Sequence, residues 1–279
     1  MSRVTIFAHI VLCTAAMSAI GAQTQDFEGV TIEVRDGFRH IRATGMPNHP
    51  VGVFTSGNST LTLTPQNYAF RVPVEPRSQR RATPANNGAF GIALNGVLFD
   101  GRPEQYWNGA SNSGWAYDTI RNAKALEIDQ NNGHAQRGGA YHYHGVPVGL
   151  INKLPVTGKM RQIGWAADGF PIYDQFGYKE PNNPDSPLVR LQPSYRVKAG
   201  DRVTAPYGAH DGTFVQDWHF DQSFGDLDEC NGRTGVTPEF PNGTYYYVVT
   251  HLFPSVPRFF RGAPDQSFNR RQGRNSPQW

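Results

Sequence analysis

The chain has 279 residues, 30 of them Gly and 21 Pro, with 38% apolar and 18% charged residues and a formal net charge of +3. That length allows a real core in one large domain or two small ones. The low charge excludes wholesale disorder, and the Gly and Pro load excludes an architecture of long helices, since Pro removes a backbone donor and Gly raises the entropy cost of order.

In chain order, Arg3 is followed by an apolar run from Val4 to about Ala16 and by small residues around Ala19 and Ala22. This predicts a secretory signal peptide over residues 1–22, because the run is too short to span a bilayer. The expected product is exported, extracellular or periplasmic, with no membrane span. Loss of the signal takes Cys13 with it and leaves Cys230 without an internal partner, read as a small buried thiol in preference to a bridge between chains. Two sequons, Asn58-Ser59-Thr60 and Asn242-Gly243-Thr244, lie in turn-like surroundings that would accommodate glycans.

Residues 23–84 read as a β-rich N-terminal segment packed on the main domain. "GVTIEVRDGFRHIRATG" puts Val30, Ile32 and Val34 on one side of a strand, and Asp36-Gly37 is a hairpin signal. Leu61 and Leu63, then Tyr68, Phe70 and Val72, continue the alternation. A loop over 75–88 leads into the main domain, 85–262, where "AFGIALNGVLFDG" reads as two short strands around Asn95-Gly96. "WAYDTIRNAKALEID" (115–129) has some helical character, "PSYRVKAGDRV" predicts a hairpin turning at Gly200-Asp201, and "GTYYYVVTHLF" (243–253) is the most strand-like run. A flexible tail is expected over 263–279. The fold class is therefore mainly β: a single β-rich domain, a β-sandwich with long loops and little helix. The basic stretches "RSQRR" (77–81) and "RRQGR" (270–274) lack interleaved aromatic residues, so no nucleic-acid partner is expected.

Of the nine histidines, His142 and His144 alternate with Tyr141 and Tyr143 in "GGAYHYHG". In an extended strand both imidazoles share one face and both phenols the other. Two neutral imidazoles side by side suit a transition ion, with the tyrosines holding the strand in the core. His134, across a Gly-rich loop, would make a three-imidazole set. The ordinary alternative is a half-buried strand whose histidines are satisfied by carbonyls and water. Asp129 and Asn131 could offer oxygens to calcium, although no full EF-hand pattern is present.

The motifs "ALNGVLF" (93–99), "GGAYHYHG", "IGWAADGFPIYD" (163–174) and "GDLDECNGR" (225–233) together resemble the YHYH-domain proteins over roughly residues 85–262. The resemblance implies an exported, mostly β domain with a metal-binding histidine cluster, and supplies no reaction. It also implies a second tyrosine/histidine tetrad after "LDECNG". Here that place reads "GTYYYVVTH", with Tyr246 and Val248 where imidazoles would stand and His251 the nearest histidine. A site drawing on both tetrads would have lost half its ligands. "GGAYHYHG" and "NGTYYYVV" echo one another, but so short a match sets no repeat architecture.

Asp168, in the turn of "AADGFPIYD", reads as a turn acceptor that could also complete a metal site. Asp217, His219 and Asp221 alternate, so His219 is a further candidate near the metal. No nucleophile elbow, phosphate loop or dinucleotide fingerprint is present, and Cys230 lies in an acidic setting that disfavours a thiolate. The leading reading is a secreted protein with a divalent-metal site, zinc or copper favoured, on His142, His144 and His134 with Asp168 or His219 nearby. Two alternatives stand beside it: a component of an extracellular or biomineral matrix, and a metal-dependent hydrolase.

Overall fold

A computed structural model describes residues 27–269 except 58 and 87. The signal-like segment, Cys13, Asn58 and the 270–274 basic stretch lie outside the described residues.

Asp36 and Gly37 both adopt positive φ (53° and 76°), closing a two-residue hairpin between β1 (Val30–Arg35) and β2 (Phe38–Ala43). β3 (Tyr68–Pro73) pairs with the free edge of β2. Ile41 and Val72 point from this small sheet into the core. The second and larger sheet has eight strands. In chain order these are β4 (Gly91–Ala93), β5 (Leu98–Phe99), β6 (Gly133–Ala135), β7 (Tyr141–Tyr143), β8 (Gln162–Ala166), β9 (Pro171–Tyr173), β10 (Gly232–Gly235) and β11 (Thr244–Val248). The strands are short and nearly every residue in them is buried, as in a sheet covered on both faces. The fold is mainly β, with one short α-helix, Val148–Ile151, among the described residues.

The two sheets share one apolar core containing Ile41, Val72, Ile92, Phe99, Tyr143, Ile163 and Val249. The Asn95-Gly96 turn joins β4 to β5 and abuts the small sheet. A Cβ on Gly96 would lie 2.8 Å from that of Ala43, and its φ is +82°, so glycine is required twice over. Arg39 of β2 lays its guanidinium 3.9 Å over Trp165 of β8. The expected two-layer packing is thus present, but with a three-stranded sheet against part of an eight-stranded one.

The strand order is β10-β11-β9-β8-β4-β5-β7-β6, which reads as two four-stranded halves joined back to back. Each half is a hairpin, a long excursion, then a second hairpin. In each, a strand of the second hairpin runs parallel to the last strand of the first: β7 beside β5, and β11 beside β9. The halves meet where Ile92 faces Trp165, with Gly164 opposite Ala93 and Gly91 opposite Ala166. The short echo between "GGAYHYHG" and "NGTYYYVV" falls on β7 and β11, at matching places in the two halves.

Three local expectations are corrected. Residues 119–127 form turns rather than a regular helix: their backbone bonds change span from Ala123 N–H to the Ile120 carbonyl, through Leu126 N–H to the Asn122 carbonyl, to Ile128 N–H and the Ala123 carbonyl, and Glu127 takes φ +52°. Tyr195–Val197 pairs with Trp218–Phe220 while Asp201–Arg202 pairs with Gly208–Ala209, so no hairpin turns at Gly200-Asp201. Beyond Gly262 the chain stays docked to Asn269: Phe268 is buried and stacks 4.2 Å from Phe70.

Candidate metal centre

β6 and β7 form the hairpin that builds the centre, with His134 directly opposite His142. The turn into β6 is held by Asp129. Its carboxylate accepts from the Asn131 N–H (2.8 Å), the Gly133 N–H (3.2 Å), the Gly52 N–H (3.1 Å) and the Tyr141 hydroxyl (2.9 Å). Asn132 takes φ +55°, and its carbonyl accepts the His144 N–H at 2.7 Å, fixing where the strand leaves the turn. Asn131 is also fully engaged, accepting from Gly149 N–H and donating to the Pro50 carbonyl. These oxygens bind the chain itself, so the calcium reading of Asp129 and Asn131 is not supported.

The tyrosines occupy the opposite face, as alternation requires. Their rings meet edge-on at 5.6 Å, packed against Phe54 and Phe99. The Tyr143 hydroxyl lies 2.6 Å from His49 Nε2 and accepts from Asn95 Nδ2 at 2.9 Å. His49 was not singled out from sequence; it is 94 residues away and in no motif.

On the other face three Nε2 atoms converge. His144 Nε2 is 2.9 Å from His142 Nε2 and 3.3 Å from His134 Nε2. Glu104 completes the group, with Oε1 3.1 Å from His142 Nε2 and Oε2 3.1 Å from His134 Nε2. All four donor atoms lie within 4.8 Å of one another. His142 and His144 are 1% and 3% exposed, whereas the Glu104 side chain is 24% exposed and forms the outer wall.

This donor set fits a transition ion. A tetrahedral zinc with nitrogen ligands at about 2.05 Å has ligand atoms about 3.3 Å apart, near the spacing seen. The other ring nitrogens are placed accordingly. His134 Nδ1 is 2.9 Å from the Leu126 carbonyl, so it carries the proton and leaves Nε2 free to ligate. That carbonyl is available because residues 119–127 do not continue as a helix. His142 Nδ1 lies 3.2 Å from the Gln136 amide nitrogen, while Gln136 Oε1 is buried without a partner. Turning the amide over lets Oε1 accept from Nδ1–H and frees His142 Nε2 as well. One carboxylate and three imidazoles do not suit calcium, which takes six to eight oxygens.

Electrostatics agree. Burial acts to raise the Glu104 carboxyl, but hydrogen bonds from His134 and His142 prevail and hold it well below the usual carboxylate range. Burial acts to lower His134, and Glu104 outweighs it, leaving that imidazole above its ordinary 6.5. His144 is held far below 6.5 by burial and then by the neighbouring His142, so it stays neutral, as a ligand must.

The other candidates lie elsewhere. Asp168 is buried in the β8–β9 turn, where it accepts from Tyr247 Oη (2.5 Å) and Gly262 N–H (2.8 Å). Burial pushes its carboxyl up to about 6. His219 is exposed on the Trp218–Phe220 strand. Asp217 is spent on Arg202 and Asp221 on Arg196. None of these joins the cluster. Cys230 is buried, its thiol pushed up to about 12 by burial and by Asp228. Asn242 is exposed in a turn.

A family model described as YHYH protein matches residues 69–262, which takes in β3 from Ala69 on, the whole large sheet and all four residues of the centre. The chain belongs to the YHYH protein family. Neither a curated protein nor a solved structure matches it. The YHYH motif itself is β7 with His144, and its alternation places two of the four donors. His134 comes from the partner strand. Glu104, in the "GRPEQYW" loop, carries no sequence signal that separates it from other loop acids.

Proposed function

We propose that the protein is an exported binder of one divalent transition ion, zinc or copper, held by His134, His142, His144 and Glu104. The observation that carries this reading is the convergence of three Nε2 atoms on one carboxylate, with the Nδ1 partners of His134 and His142 supplied by Leu126 and Gln136. Four protein donors saturate a tetrahedral ion, which favours retention of the metal over turnover. Metal analysis of protein purified without chelator should return close to one ion per chain. A metal-free preparation that also takes up no zinc or copper on titration would end the proposal.

Gln136 acts on the ion through His142. Gln136→Ala should weaken zinc binding by roughly 10–100-fold, the usual cost of losing such a partner, with little change in melting temperature of the chelated protein. Equal affinity in a competition titration would remove Gln136 from the account.

Acid should reverse the preference between ion and proton. Glu104, depressed in the folded state, stabilises the ion-free protein above its unfolded pKa of about 4.3, and this is lost as pH falls through the lower folded value. His134, raised, stabilises it below about 6.5, and this is lost as pH rises through the higher folded value. These two contributions coincide between about pH 4.3 and 6.5, where His144 acts the other way because the unfolded chain takes up a proton there that the folded chain does not; ion uptake needs His134 deprotonated and strengthens above that window. Zinc affinity should therefore fall steadily as pH drops below His134's raised pKa. A flat affinity from pH 8 to 5.5 would contradict the assignment.

One observation favours a hydrolytic role as a second reading: Glu104, the outermost ligand, is the side from which water can approach. That reading requires turnover of an ester, peptide or glycan that disappears with the metal. A matrix role rests on the export segment and on a glycan at the exposed Asn242. Recovery of an ion-free, glycosylated protein in a mineral fraction would favour it.

A further inference from the structure

The two halves of the large sheet match residue by residue well beyond their strand order. Asp228 repeats the role of Asp129: it accepts from the N–H groups two and four residues on, Cys230 (2.9 Å) and Gly232 (3.1 Å), and from the Tyr245 hydroxyl (3.0 Å). Asn231 repeats Asn132, with φ +54° and a carbonyl that accepts the Val248 N–H at 2.9 Å. A Cβ on Gly232 would strike the Tyr245 ring and the Tyr246 carbonyl, as one on Gly133 would strike the Tyr141 ring and the His142 carbonyl. Asn95 bonds the Tyr143 hydroxyl from the β4–β5 turn, and Asp168 bonds the Tyr247 hydroxyl from the β8–β9 turn.

These matches set the correspondence. Tyr141, His142, Tyr143 and His144 stand where Tyr245, Tyr246, Tyr247 and Val248 stand in the other half, and His134 stands where Arg233 does. His134 faces His142 across its ladder, and Arg233 faces Tyr246 across the other. No imidazole occupies the second set. Instead Arg233 Nε donates to Tyr246 Oη at 2.7 Å, and its terminal nitrogen donates to the Tyr178 carbonyl. Around them Met160, Tyr173, Leu191, Leu227 and Val248 form a small apolar cluster separate from the main core. A buried phenol and carbonyl need a donor in such a place, and the guanidinium provides it as a fixed cation.

Building on the metal reading above, we infer that Arg233 is a built-in cation closing a second ion position. The chain then takes a single transition ion, in its first half, and exchange of Arg233, Tyr246 and Val248 for histidine opens a second site for the same class of ion. The two halves meet one packing requirement in two ways: three imidazoles and an ion in the first, a guanidinium and an apolar cluster in the second.

The test counts zinc per folded chain after dialysis, by elemental analysis. The expected values are one for the natural protein, two for R233H/Y246H/V248H and none for H134R/H142Y/H144V. The last variant installs the metal-free packing in the first half, so its melting temperature should not respond to EDTA. No zinc in the natural protein would overturn the metal reading itself. Two zinc ions in the natural protein would overturn only the present inference, as would a folded R233H/Y246H/V248H protein that still takes one. If that variant does not fold, H134R/H142Y/H144V decides the matter: cooperative, EDTA-insensitive melting supports the interchange, and failure to fold overturns it.

Discussion

Replacing His142 and His144 together by alanine should abolish ion uptake and erase the difference in stability between chelated and zinc-loaded protein. The two Nε2 atoms lie 2.9 Å apart, and with both gone only His134 and Glu104 remain of the donor set. An ion that binds the folded chain and not the unfolded one stabilises it by about 4 kcal/mol at a thousandfold excess over Kd. For a domain of this size that is a rise of roughly 8–16 °C in melting temperature. The natural protein should show this gap on addition of zinc after EDTA, and the double variant should not. The variant will also start lower, because two buried rings are lost from a packed site. For that reason the informative quantity is the zinc-dependent difference rather than the absolute temperature. Unchanged metal content in the double variant would place the ion somewhere else.

A single methyl group added on the far side of the hairpin should damage the same site. Gly133 begins β6, and a Cβ there would lie 2.5 Å from Tyr141 Cζ and 2.7 Å from the His142 carbonyl oxygen. Neither contact is with a flexible side-chain end. One is a ring held by Asp129 and Phe54, and the other is main chain. Gly133→Ala must therefore push β6 and β7 apart, and His134 and His142 sit on the residues that move. Overpacking of this kind costs about 1–3 kcal/mol. Because ligands must be held within about 0.5 Å of productive geometry, zinc affinity should fall at least about tenfold as well. Gly158→Ala is the matching control. That glycine has φ +70° and nothing within 4 Å of an added Cβ, so it bears backbone strain alone and lies outside the site. Urea unfolding in EDTA and a zinc titration on both variants would separate the effects. Natural stability and affinity in Gly133→Ala would mean that the hairpin is more pliant than its contacts imply.

Sequence patterns revealed those parts of the site that depend on neighbours along the chain. Alternation in a strand is local geometry, so "YHYH" already determined that His142 and His144 share a face and that both tyrosines turn to the core. Asp36-Gly37 and Asn95-Gly96 likewise announced their hairpins, because few residue pairs tolerate that backbone. The helical pattern at 115–129 misled because its backbone bonds never settle into one span: Leu126 N–H reaches the Asn122 carbonyl, Ile128 N–H reaches the Ala123 carbonyl, and Glu127 turns to φ +52°. Asp168 and His219 were plausible donors by type, yet the first answers Tyr247 within the half that lacks the imidazoles and the second faces solvent.

By itself, then, the amino-acid order determined a β-rich chain with family-specific motifs and a pair of imidazoles on one side of a strand. Tertiary structure alone decided that Glu104 joins the three imidazoles, that His49 braces Tyr143 from behind, and that the Asp129 carboxylate anchors a turn. It alone showed that the large sheet is two matched halves, one carrying imidazoles where the other carries Arg233. The physical reason is range. Periodicity and turn chemistry act over a few residues, whereas Glu104 meets His142 across 38 residues and His49 meets Tyr143 across 94. Contacts of that span exist only after the sheet has closed, and no short pattern encodes them.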